Sequence, residues 1–223
     1  SGICIGMNGF LTLLFKELLR FWKVGFQTLF APMLSTLLYL LIFSHVLEER
    51  AQIYPSVTYT VFLIPGLVMM AMLQNAFANS SSSLIQSTVS GNHIFMLLSP
   101  LSYQEIFTAY VLASVVRGLI VGLGIYVVAV GFFELPLYSF AWIIAFALMG
   151  TALLGALGII AGIWAEKFEH LAALQNFAIL PLTFLSGVFY TVSSLPSLWR
   201  GISYLNPFFY MVDGFRYGFF RSS

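Results

Sequence analysis

"PLTFLSGVFYTVSSLPSLWRGISYLNPFFYMVDGFRYGFF", residues Pro181 to Phe220, sets Arg200, Asp213 and Arg216 inside one of the most aromatic stretches of a very apolar chain. A membrane span ends within it, because Gly187 and then Ser193, Ser194 and Pro196 interrupt the apolar run with helix-breaking and capping chemistry. After the short segment Leu195 to Tyr204, Asn206 and Pro207 supply an N-cap and a first helical residue with its φ preset. The economical reading is two short helices at the membrane edge. In the second, Asp213 and Arg216 stand three residues apart on adjoining faces and are predicted to pair. Phe208, Phe209, Tyr210, Phe215, Tyr217, Phe219 and Phe220 are predicted to form an aromatic belt at the interface. The competing reading is an uninterrupted, lipid-exposed sixth span. Four charged side chains between Arg200 and Arg221 argue against it.

The rest of the chain has the same solvent written into it. Of 223 residues, 60% are hydrophobic and 8% charged, where a soluble domain carries roughly a quarter charged. Crossing roughly 30 Å of hydrocarbon takes about 20 apolar residues. Five candidate spans meet that length, at about Val24–Val46, Val57–Asn79, Ile106–Phe133, Tyr138–Ala165 and Leu171–Val192. Pro32, Pro65 and Pro181 fall inside three of them and predict kinks. The net charge is +1 with the basic residues dispersed, which excludes a nucleic-acid partner. The single cysteine, Cys4, excludes an internal disulfide, and His45, His93 and His170 are too far apart for a local metal motif. Ser1 to Gly6 read as upstream or non-native residues ahead of Met7, leaving residues 7–223 as one domain.

Met7 to Lys23 has a helical period. Phe10, Leu13, Leu14, Glu17, Leu18 and Phe21 fall on one side, and Lys16, Arg20 and Lys23 on another. The pattern fits an amphipathic helix at the membrane surface, or a cytoplasmic extension of the first span. Its three basic residues place the N-terminus in the cytoplasm by the positive-inside rule, while the remaining loops are balanced. Gly118 with Gly122, and Gly158 with Gly162, have the small-xxx-small spacing that brings membrane helices together.

Two further features carry information. The connection Asn79 to Phe107 is too polar at its start to remain in lipid; Leu84 to Val89 can continue the second helix, Gly91 breaks it, and His93 to Leu98 can form a short helix ended by Ser99-Pro100. It is either an ordinary helix-turn-helix loop or a docking element. Arg117 lies near the middle of the third span, where a charge must face protein or water. Its candidate partners are Asp213, Gln175, Asn176 or backbone carbonyls. Gln74, Asn75 and Asn79 add polar groups to the second span, as substrate contacts or as interhelical glue. There is no G-x-x-x-x-G-K-[ST] phosphate loop, no G-x-S-x-G elbow, and no paired carboxylates within a span. These absences argue against an enzyme. An ion-coupled carrier or an energy-independent channel remains the alternative to a pump.

Four stretches together resemble the ABC-2 type transporter permeases: "FLIPGLVMM" (Phe62 to Met70), "RGL" (Arg117 to Leu119), "PLTFLSGVFYTVSSLP" (Pro181 to Pro196) and "LNPFFYMVDGFRYGFF" (Leu205 to Phe220). The resemblance implies an all-α polytopic domain of the bacterial inner membrane, with an N-terminal interface helix, six spans and a re-entrant outer hairpin between the fifth and sixth. It implies a dimer of two permease copies in membrane lipid, coupled to two separate ATP-binding subunits. ATP and magnesium would belong to those subunits, with no cofactor on this chain. The coupling helix would fall on about Gln86 to Pro100, comprising Ser90, Gly91, Asn92, His93, Ile94, Phe95, Met96, Leu97, Leu98 and Pro100. The outer gate would involve Gly187, Pro196, Asn206, Pro207, Tyr210, Asp213 and Arg216. His93-Ile94-Phe95 stands where such permeases often carry acidic residues, so the ATPase contacts are expected to differ. The chain stops at Ser223, where the sixth span is expected to begin. Aromatic and amide side chains along the expected path suit lipids, amphiphilic drugs or glycans alike.

Overall fold

The computed structural model describes residues 9–23, 25–47, 52–54, 57–92, 94, 98 and 101–221. The expectation for Ser1 to Gly6 lies outside them. Helix α1 (Gly9–Lys23) is followed by α2 (Gly25–Leu47), a two-stranded antiparallel ribbon, β1 (Gln52–Tyr54) and β2 (Val57–Thr58), and the long helix α3 (Tyr59–Val89). Then come α4 (Tyr103–Val130), α5 (Phe140–Trp164), α6 (Phe168–Leu174), a π-helical turn (Gln175–Ile179), α7 (Leu180–Phe184), a 3₁₀ turn (Val192–Ser194), α8 (Ser197–Leu205) and α9 (Pro207–Phe220). Apart from the ribbon between α2 and α3, the architecture is helical, as expected. Among the described residues, α3, α4 and α5 are long and apolar enough to cross a membrane, and Phe30–Ile42 of α2 forms a shorter apolar run.

α3 is the axis of the bundle and packs against α2, α4, α5 and α9. Phe62, Leu63, Ile64, Met69, Leu73, Ala76 and Ile85 along it are fully buried. A helix of 31 residues is roughly 46 Å long, against roughly 30 Å of hydrocarbon. The second span was expected to end near Asn79, with the polar run after it leaving the lipid. The helix continues to Val89, as the reading allowed for Leu84 to Val89, but its polar run is not left to water: Asn79, Ser80, Ser81 and Ser83 are buried against other helices. Protein, not water, satisfies them: Ser80 Oγ donates to the Gly155 carbonyl at 2.7 Å and Ser81 Oγ to the Phe77 carbonyl at 2.7 Å.

The glycine pairs explain how α3 and α5 come so close. A methyl group at Gly158 would lie 2.5 Å from the Phe77 carbonyl oxygen, and one at Gly162 would lie 3.0 Å from the Ser81 carbonyl oxygen. Only a residue without Cβ allows that backbone contact.

The fifth span departs most from expectation, since Leu171–Val192 is not one regular helix. Pro181 has no N–H to give the Phe177 carbonyl and its ring crowds that turn. The chain widens there, with the Leu180 N–H bonding the Gln175 carbonyl five residues back. The helical path ends at Phe184, and Gly187 turns the chain with φ of +77°. The two short helices predicted beyond it are present as α8 and α9. Asn206 caps α9, its Oδ1 accepting from the Phe208 N–H at 3.0 Å. Its Nδ2 donates to the Leu182 carbonyl at 2.6 Å and ties the hairpin back to α7. The Gly218 carbonyl accepts from the N–H groups of Tyr138 (3.0 Å) and Ser139 (2.9 Å), fastening the end of α9 to the start of α5. The expected aromatic belt is therefore only partial. Phe208, Phe215 and Phe219 are buried in the bundle core, while Tyr210 stays exposed.

A Gly158→Val variant will lose the α3–α5 contact and unfold at lower temperature in detergent, since overpacking a close contact costs about 1–3 kcal/mol. Gly201→Val, where an added Cβ has nothing within 4 Å, will keep the wild-type Tm by size-exclusion-monitored melting.

Candidate functional site

Polar groups in this bundle concentrate in two places near opposite ends of α3. Ser83 marks one and Tyr59 the other, 24 residues apart along a single helix, or roughly 36 Å.

At the first end α1 packs along α4, with Leu13, Leu84, Ala109, Tyr110 and Ile159 forming a small apolar cluster. Its polar side chains reach across to α3. Glu17 is fully buried; its Oε1 accepts from Ser83 Oγ at 2.9 Å, and its Oε2 lies 3.3 Å from Arg20 Nε. That last approach is within ion-pair reach but too bent to be a hydrogen bond. Arg20 also donates to the Asn79 carbonyl (2.7 Å), Asn79 Oδ1 (3.3 Å) and Ser82 Oγ (3.3 Å). Asn79 Oδ1 is shared with Arg117 Nη1 at 3.5 Å, and Arg117 Nη2 donates to Asn75 Oδ1 at 3.2 Å. Asn79 Nδ2 closes the network on Ser114 Oγ at 3.3 Å.

Arg117 thus finds its partners on α3. They are not Asp213, Gln175 or Asn176, named as candidates from sequence. Phe21 of α1 lies under its guanidinium, 5.8 Å from ring centre to Cζ. The role of Glu17 and Arg20 escaped the sequence reading, which set Arg20 with Lys16 and Lys23 on the basic edge of the helix. The available signal was Glu17, an acid on the apolar side of an amphipathic helix. Two guanidinium groups meet on Asn79 Oδ1 with one carboxylate, Glu17, beside Arg20, so the cluster carries an excess positive charge.

Gln74 and Asn75 also line a cavity of about 240 Å³ between α2 and α3, with Ser35, Thr36 and Tyr39 on the opposite wall. Gln74 Nε2 is buried there without a hydrogen-bond partner among the described residues. Gln175, half-buried, and Asn176, exposed, sit in the π-helical turn, away from this cavity.

At the second end the broken fifth helix is held by side chains. Tyr59 Oη donates to the Phe189 carbonyl at 2.7 Å, and Arg216 Nη2 donates to the carbonyls of Gly187 (3.0 Å) and Val188 (3.2 Å). The Arg216 guanidinium also stacks 3.9 Å over Phe62. Among the described residues the ion pairs within 4 Å are Lys16–Glu17 and Arg20–Glu17, so the predicted Asp213–Arg216 pair does not form. Carbonyls freed where the helix ends are strong acceptors in a dry site, and they capture the guanidinium. Pro196 opens α8, the Pro207 ring begins α9, and Tyr210 Oη donates to the Tyr204 carbonyl at 2.8 Å, closing the hairpin on itself.

Beyond α3, Ser90 caps the helix through its N–H and Oγ, both donating to the Gln86 carbonyl, and Gly91 turns the chain with φ of +73°. Asn92 is exposed in that turn. Ile94 and Leu98 are exposed, and the Leu98 N–H bonds the Ile94 carbonyl at 3.0 Å. His93, Phe95, Met96, Leu97 and Pro100 of the expected coupling helix lie outside the described residues. Ser102 and Glu105 then form a reciprocal capping box that starts α4.

A buried helix axis, close glycine contacts, charges satisfied inside the bundle and three helices long and apolar enough to cross a membrane fit a helical membrane protein. The chain belongs to the ABC-2 type transporter family, whose model matches residues 8–220. It is 38% identical over 206 residues to the inner membrane transport permease YadH of Escherichia coli (strain K12), an alignment covering 92% of this chain and 80% of that protein. The YadH permease of Shigella flexneri matches to the same extent. The capsule polysaccharide export inner-membrane protein CtrC of Neisseria meningitidis serogroup B is 26% identical over 203 residues, covering 90% and 73% of the two chains. The chain is therefore a transport permease of the ABC-2 type.

Glu17→Ala will leave the half-buried Arg20 without its carboxylate and Ser83 Oγ without its acceptor, a loss of about 1–3 kcal/mol. Glu17→Ala with Arg20→Met will recover part of it, read as a non-additive double-mutant cycle in Tm; strict additivity would show that the two do not interact. At the other end Arg216→Met will lower Tm markedly and Asp213→Asn only slightly. Equal losses would restore the Asp213–Arg216 pair.

Proposed function

We propose that this chain is the membrane-spanning subunit of an ATP-driven exporter, working as a dimer with its N-terminus in the cytoplasm. Two separate ATP-binding subunits dock at Ser90–Pro100, the segment that follows α3. The reading is supported most by one observation: Leu98 is 77% exposed and Ile94 53% exposed just past the end of the most buried helix. Apolar side chains so placed suit the surface of a partner, and a push on them acts directly on the axis of the bundle. ATP and magnesium belong to that partner. The chain has no phosphate loop of its own, and the partner's differential affinity for two bundle states supplies the drive.

Arg216, Tyr59 and Asn206 hold the α8–α9 hairpin at the far end, where it serves as the outer gate. The cavity bearing Ser35, Thr36, Tyr39, Gln74 and Asn75 offers hydroxyls and amides to a cargo passing between α2 and α3. That lining suits a hydroxyl-rich polymer such as the capsule polysaccharide named for the meningococcal relative.

Affinity purification of the gently solubilised permease from its own host, with mass spectrometry of what accompanies it, tests the coupling. A near-stoichiometric ATP-binding subunit is expected, and Leu98→Asp or Phe95→Asp will remove it while membrane insertion persists. A stable permease purified alone under the same conditions would favour an energy-independent channel or carrier.

A further inference from the structure

α1 has a second apolar stripe that stays largely exposed among the described residues. Leu11, Phe15, Leu19 and Trp22 follow at spacings of four, four and three residues, which puts them on one helix face. They are exposed by 45%, 55%, 42% and 72% respectively. The opposite face, with Leu13, Glu17 and Phe21, is buried against α4 and α3. Lys16 and Lys23, seven residues apart and both exposed, share the edge that borders the outward stripe. A helix clamped by one face to the bundle, with an apolar stripe beside two lysines, has the chemistry of an interfacial helix that dips rings into acyl chains and sets ammonium groups at headgroup level.

We propose that this edge of α1 is a binding site for anionic phospholipid headgroups, with Lys16 and Lys23 as the ligating cations and Leu11, Phe15, Leu19 and Trp22 seated among the acyl chains. The charge complementarity is specific. Glu17, the sole acid on α1, is turned inward and fully buried, so nothing on the outward side of the helix opposes an anion. Lys16 Nζ lies 3.9 Å from Glu17 Oε1, the oxygen that also accepts from Ser83. A phosphate at Lys16 therefore sits one residue from the link between α1 and α3, and its binding holds α1 in the docked position from which Arg20 reaches Asn79. Lipid charge is thereby tied to the Arg20–Asn79–Arg117 cluster. The proposal rests on the membrane-spanning reading of the chain alone. Its test needs neither ATP nor a partner subunit, so it stands or falls separately from the coupling proposed above.

Trp22 is the reporter. Replacing Trp142, Trp164 and Trp199 by Phe leaves it the only tryptophan. The full chain is reconstituted in nanodiscs of phosphatidylcholine with a minor fraction of brominated phosphatidylglycerol, or of brominated phosphatidylcholine at the same fraction, and Trp22 quenching is compared. The phosphatidylglycerol is expected to be enriched at least about fivefold around Trp22, because each lysine near a surface attracts anionic lipid. Lys16→Gln with Lys23→Gln will bring the two lipids within about twofold of each other, and Lys16→Arg with Lys23→Arg will retain the preference. Equal quenching by both lipids in the parent, or a preference unchanged in the double Gln variant, overturns the proposal. Absence of quenching by either lipid overturns it too, since the stripe would then be covered by protein.

Discussion

Burying a guanidinium in a bundle surrounded by lipid is tolerated only where other protein groups replace its water, and the packing of the first four helices is organised around that requirement. Arg117 sits deep in α4 and takes its acceptors from Asn75 and Asn79 on α3. The same Asn79 receives Arg20 from α1, and Arg20 is held by a carboxylate with no exposed surface. One amide therefore joins three helices. Losing it would take one acceptor from each of two charges at once, which makes the cluster a constraint on the relative positions of α1, α3 and α4 as well as a set of contacts.

The opposite end solves a different problem by similar means. Pro181 and Gly187 break the fifth span, and each break releases backbone carbonyls in a region with little water. Arg216, Tyr59 and the Asn206 amide each donate to one or more of these, so the irregular chain is paid for by side chains from α3, α9 and the α8–α9 turn. The re-entrant path is thus a built feature with its own anchors. Those anchors converge on the first turns of α3, the helix whose last turns meet the Arg20–Arg117 cluster.

A long stiff helix with a polar anchor near each end is suited to carry displacement from one membrane face to the other. Close glycine packings at Gly118, Gly158 and Gly162 sit among its interhelical contacts, beside buried large side chains such as Met69, Leu73 and Phe77. Small-residue contacts of this kind allow helices to approach without fixing them by deep interdigitation. A partner acting where α3 ends, at Ile94 and Leu98, and a hairpin attached where α3 begins would be mechanically connected through it.

Sequence alone determined the solvent, the helical class and the sites of most breaks, because apolar length, Pro and Gly placement and Asn-Pro capping are local properties of the chain. It also marked Arg117, Gln74, Asn75 and Asn79 as polar groups needing an explanation. Tertiary structure alone decided what satisfies them. The bonds from Arg20 to Asn79 and from Ser83 to Glu17 join residues 59 and 66 positions apart, and no spacing rule reaches that far. The local rule even pointed the wrong way for Arg216: its neighbour Asp213 was within one turn, but carbonyls 28 and 29 residues away were the bare acceptors. A charge in a dry bundle goes to whichever unsatisfied group the fold brings within reach, and only the packed chain shows which group that is.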